Sequence, residues 1–85
     1  TIYFAKMIND NKVLANSYNN LGYIYDELTQ YDSASAYYDK SFRYFKQIGD
    51  SSGMGTYYLN MGVIFDKLQE FQKSYQYLVK SEIIA

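Results

Sequence analysis

The sequence predicts an all-α fold built from repeated antiparallel helix pairs, and three observations point there. No proline interrupts the 85 residues, and proline is the strongest breaker of helix interiors. Apolar residues recur at three- and four-residue steps, and no segment of strand length alternates apolar with polar. The chain also matches itself when shifted by 40 residues. Such a period marks stacked supersecondary units.

The match is specific. Tyr18–Leu28 lies over Tyr58–Leu68, with identities at Tyr18/Tyr58, Asn20/Asn60, Gly22/Gly62, Ile24/Ile64, Asp26/Asp66 and Leu28/Leu68. Tyr37/Tyr77, Lys40/Lys80 and Ser41/Ser81 bring the total to nine in the 31 pairs from Ala15/Gly55 to Phe45/Ala85. Average residue usage predicts about two. The register extends backwards, with Ile2–Asp10 over Phe42–Asp50. The chain is therefore expected to divide into residues 1-9 (the second helix of a preceding repeat), 10-49 (a complete repeat) and 50-85 (a following repeat, cut short). Units of this kind bury their apolar faces only against neighbours. Apolar surface is then expected at the ends, around Ile2, Phe4, Ile83 and Ile84.

Each element follows from local signals. Asp10 or Asn11 is placed to cap the first helix, because a short side-chain oxygen accepts from orphan backbone N–H groups. Leu14, Tyr18, Leu21, Gly22, Tyr25 and Leu28 form its packing face, and it should stop near Thr29–Gln30. Asp32 would cap the second helix, which carries Ala34, Tyr38, Ser41, Phe42 and Phe45. Gly49 suits the left-handed residue that closes helices, and Asp50 opens a third helix from Ser51 to Leu68. Gly53 and Gly55 weaken the start of that helix by about 1 kcal/mol each. A fourth helix begins near Phe71.

Composition removes much chemistry. With no Cys and no His, thiolate metal sites, disulfides and the commonest general base are excluded. Eight basic against nine acidic residues leave no footprint for nucleic acid, whose binding needs clustered Lys and Arg. Lys12, Arg43, Lys46, Lys73 and Lys80 read as scattered. No apolar run approaches the length of a membrane span, and no leader is visible at Thr1. No nucleophile–base pair or phosphate-cradling glycine loop is present. An enzyme is not expected, nor a cofactor.

The spacing Tyr18-x2-Leu21-Gly22-x2-Tyr25, then Leu28, Tyr31 and Ala34-x3-Tyr38, resembles the tetratricopeptide repeat. The next unit follows as Tyr58-x2-Met61-Gly62-x2-Phe65, Leu68, Phe71 and Ser74-x3-Leu78. Three departures stand out: the period is 40 instead of 34, Lys46 replaces the closing proline, and Ser74 replaces alanine. The longer unit is similar to the extended repeats of kinesin light chains and many bacterial regulators. It implies longer helices or a longer turn between repeats.

The resemblance implies a right-handed α-solenoid acting as a protein–protein interaction scaffold within a larger regulatory protein. It also implies a concave groove lined by the first helix of each repeat, holding a peptide or partner segment. Carried onto this chain, the groove positions are Asn16, Asn19, Asn20, Tyr23, Asp26 and Glu27, then Thr56, Leu59, Asn60, Val63, Asp66 and Lys67. Their spacing puts each set on one helix face. Asn20 and Asn60 could clamp a peptide backbone, since an amide both donates and accepts; the other reading is that they bridge or cap neighbouring turns. Asp26 and Asp66 should stack as solvated residues on the rim, too few for a metal site. Asn16, Asn19 and Tyr23 offer no cation, so a partner's terminal carboxylate is not the expected ligand. Tyr18, Tyr25, Tyr38 and Tyr58 fall at packing positions, whereas Tyr3, Tyr37, Tyr44, Tyr57, Tyr75 and Tyr77 are undetermined. The alternative function is a structural spacer or self-association module (a possible homo-oligomer) whose end helices stack with other copies or a neighbouring domain.

Overall fold

Helix follows helix throughout: α1 (Ile2–Glu27), α2 (Tyr31–Gln47), α3 (Ser51–Lys67) and α4 (Phe71–Ile84). The computed structural model describes the backbone of residues 2–84 and the side chains of residues 10–83. No strand occurs among the described residues. The 40-residue period arises because α2 and α3 are each 17 residues long. Lengthened helices, not lengthened turns, account for it.

The three turns are copies of one another at 20-residue intervals. Thr29, Gly49 and Gln69 are left-handed, with φ of 59°, 68° and 62°. At each, two amides reach back to satisfy the end of the preceding helix: Thr29 N to Asp26 O (3.0 Å) and Gln30 N to Tyr25 O (2.9 Å) in the first turn. Asp50 N to Phe45 O (2.9 Å) and Glu70 N to Phe65 O (2.8 Å) repeat the wider bond. This paired pattern closes helices by covering orphan carbonyls. Only Gly49 adopts it without a side-chain penalty.

Two expected helix starts are corrected. No helix opens at Asp10 or Asn11, since α1 runs unbroken from Ile2 to Glu27. A separate helix over residues 1-9 is therefore not seen, and Thr1 lies outside the described residues. Two local differences accompany this. Asn9 stands where Gly49 turns the chain, and Val13 stands where Gly53 admits a neighbouring ring. Nor does Asp32 cap α2. The cap position is Gln30, which makes no side-chain cap bond, and Asp32 sits in the first turn, where a carboxylate complements the helix dipole. Asp50 does cap α3, accepting from Gly53 N at 3.1 Å.

Within each pair, a glycine lets the helices close. A Cβ on Gly22 would meet Tyr38 Cδ1 at 2.6 Å, and one on Gly62 would meet Leu78 Cδ2 at 2.7 Å. Ser74 Oγ also donates to Gly62 O at 2.8 Å, a bond that the expected alanine could not make. Between the pairs, Phe45 lies so close over Gly53 that no side chain fits there. Phe42 packs on Tyr57 (ring centroids 4.4 Å) and edge-on to Tyr58 (5.5 Å). Tyr57 Oη donates to Asp39 Oδ1 at 2.7 Å. Ala34, Tyr38, Tyr57, Met61 and Ile64 form the buried centre.

Aromatic clusters at matching repeat positions close the outer seams, the first with its rings stacked and the second with its rings tilted. Tyr18 stacks on Tyr37 and Tyr37 on Tyr25, with centroids 6.1 and 5.3 Å apart, and Lys40 lies over Tyr18 and Tyr37. Tyr58, Tyr77 and Phe65 take the matching places at 6.1 and 5.2 Å beneath Lys80. Of the tyrosines expected to pack, Tyr38 is buried while Tyr18, Tyr25 and Tyr58 are half-buried in these seams. Leu14 and Leu28, expected on a packing face, are exposed. Leu28 terminates its helix.

Candidate functional site

The first helices of the two pairs, α1 and α3, lie side by side and run the same way, because each is followed by an antiparallel return. Two polar rungs join them. Asn60 Nδ2 donates to Asn19 Oδ1 at 3.0 Å, and Lys67 Nζ reaches Asp26 Oδ1 at 3.0 Å. Each rung joins residues 41 apart. They lie two helical turns from one another along α1, so they pin both the spacing and the register of the helices. Asp26 is buried, and the side chain of Lys67 remains partly exposed. The hydrogen bond to Asp26 holds the Lys67 ammonium above its ordinary pKa. An ion pair sheltered on one side by protein is screened less than one at the surface.

These rungs alter three of the sequence expectations. Asn60 acts as a bridge between neighbouring helices, whereas Asn20 is exposed. The two asparagines are thus equivalent by repeat but not by partner. Asp26 is not a solvated rim residue. Asp66, its repeat partner, is exposed as expected. Lys67, expected simply to line the groove, instead neutralises Asp26.

What remains open on this face is mixed. Asn16, Asn20, Tyr23 and Glu27 are exposed along α1, and Thr56, Leu59, Val63 and Asp66 along α3. Tyr23, Leu59 and Val63 are respectively 58%, 48% and 38% exposed. Tyr23 on α1 and Val63 on α3 fall between the two rungs, and Leu59 adjoins the first. These are the large apolar side chains that the groove positions leave open to solvent. Asn16, Asn20 and Thr56 add exposed amides and a hydroxyl along the same helices.

The buried tyrosines support the site from behind. Tyr38 is only 1% exposed. Its hydroxyl is pushed up to about 12, chiefly by burial and secondarily by the Asp26 carboxylate. Burial and the hydrogen bond to Asp39 raise Tyr57 further still. Both therefore stay neutral donors at ordinary pH and serve packing. Sequence reasoning left Tyr57 undetermined. The available signal was its isolation, since its counterpart one repeat earlier is Ser17. No helix among the described residues is long and apolar enough to cross a membrane.

A family model described as "Tetratricopeptide repeat" matches residues 13–82. Compared with curated proteins and with solved structures, the chain has no match.

Proposed function

The chain belongs to the tetratricopeptide repeat family, a protein–protein interaction scaffold, and we propose that it holds a partner's peptide segment across the face formed by α1 and α3. The exposure of Tyr23, Leu59 and Val63 on a surface pinned by two polar rungs carries this reading. Asn16, Asn20 and Thr56 flank the apolar strip and would satisfy the backbone of a bound segment. Asn60 is already committed to Asn19, so the clamp role falls to Asn20 alone. Fold by itself does not assign function; the open strip is what favours binding here.

The test is capture of a partner segment by the intact chain against a Leu59→Ser, Val63→Ser variant. Both positions are exposed, so circular dichroism should show the same helical melt. Affinity is expected to fall at least about tenfold, as loss of central apolar contacts does. Unchanged affinity would remove this face from the interaction.

A second reading rests on α4, where Phe71, Tyr75 and Ile83 are 62%, 70% and 78% exposed. Self-association through that helix would appear as concentration-dependent sedimentation that Tyr75→Ser abolishes. The terminal residues Ile2, Phe4 and Ile84, expected to share such a role, lie outside the described side chains.

A further inference from the structure

The two ends of the α1/α3 face differ in charge, and the difference bears on what it binds. This inference rests on the groove reading above and specifies the partner. At the end where both helices finish, Glu27 and Asp66 are exposed, and neither forms an ion pair within the described residues. Lys67, the cation among them, is bonded to Asp26 and answers Glu27 only at longer range, and Asp66 has no such partner. Asp32 adds a further exposed carboxylate in the first turn of α2, beside the end of α1. Glu70 is paired with Lys73 at 3.3 Å and contributes no free charge. The carboxyl ends of two parallel helices bring partial negative charge of their own. At the opposite end of the strip, Asn16 and Thr56 are neutral.

Apolar centre and acidic end are parts of one surface. Tyr23, Leu59 and Val63 provide the buried contact, and Glu27 and Asp66 meet whatever lies one to two helical turns further on. We infer that the partner is a peptide segment with apolar anchors and a lysine or arginine at the end that reaches Glu27 and Asp66. An acidic segment would be repelled there, and an apolar one without charge would leave both carboxylates without a direct contact. Complementarity of this kind sets orientation and selects among partners. It also distinguishes the face from one built to hold a carboxylate terminus, which would need cations here.

The experiment is selection of random twelve-residue displayed peptides on the chain, on a Glu27→Gln, Asp66→Asn variant, and on the Leu59→Ser, Val63→Ser variant. Expected is apolar enrichment with Lys and Arg favoured over Asp and Glu by about fivefold, the effect of one near charge contact in water. The preference should vanish on the Gln/Asn variant while the apolar enrichment persists. Circular dichroism verifies that the helices survive these surface changes. Apolar enrichment without a basic preference, or a preference that survives the Gln/Asn variant, overturns the charge assignment and leaves the groove reading standing. Absence of enrichment, or enrichment untouched by Leu59→Ser, Val63→Ser, overturns both.

Discussion

The junction inside each helix pair and the junction between the pairs are built on opposite principles. Inside, the same parts appear twice: Gly22 and Gly62 admit a side chain from the returning helix, and the aromatic clusters under Lys40 and Lys80 fall at matching repeat positions. The pairs themselves meet at one junction in this chain. Phe45 over Gly53, Tyr57 on Asp39, Asn60 on Asn19 and Lys67 on Asp26 each involve at least one residue that the repeat does not reproduce. At the matching places stand Val13, Ser17, Leu59 and Glu27. Repetition makes the unit, and its exceptions decide how one unit sits on the next.

The contrast is tested most strongly at Gly53. Gly53→Val fills the space occupied by the Phe45 ring and should cost about 3 kcal/mol in chemical denaturation, the upper range for overpacking. Adding Phe45→Ala should recover part of that loss, because the clash disappears with the ring. Strict additivity of the two changes would show that the junction is not matched in shape.

A smaller effect comes from alkali. The buried tyrosines have folded pKa values above the ordinary 10.0, so the folded state holds protons that the unfolded state releases. Their contribution is complete below pH 10 and is lost as pH rises through the folded values. For Tyr38 alone, raised to about 12, the loss by pH 12 is about 2 kcal/mol. Tyr57→Phe should make this decline shallower and lower neutral-pH stability by about 1 kcal/mol through its bond to Asp39. An identical pH profile in that variant would exclude Tyr57 as a contributor.

Least costly is the rung between the first helices. Asn60→Ala should reduce stability by only about 0.5 kcal/mol, the lower end for one partly exposed hydrogen bond. Its signature is spatial: amide exchange should quicken where α1 meets α3 and leave the Gly22 and Gly62 contacts protected. Equal acceleration throughout would mean that the two junctions do not open separately.

The same division explains what could be read from sequence. Gly22 and Gly62 declared their role because a repeated glycine in a repeated apolar frame has one economical explanation. Gly49 and Asp50 were legible from turn chemistry alone. Gly53 was not: in isolation it reads as a weak helix start, and only Phe45, eight residues earlier across a turn, gives it purpose. Asp26 and Lys67 read from the sequence as separate open positions and are in fact each other's partners, since pairing across 41 residues leaves no local trace. The turns at Thr29 and Gln69 show the converse, with residues of no left-handed preference held there by the helices they connect.

A chain that repeats every 40 residues but links its first helices at 41 joins two different positions of the unit in each rung. Neighbouring copies that run the same way meet through opposite flanks, and one position on a helix is a rotation of about 100°. The residue with which a first helix grips the unit behind it is therefore not the one it offers to the unit ahead, so either flank can change while the other stays as it is.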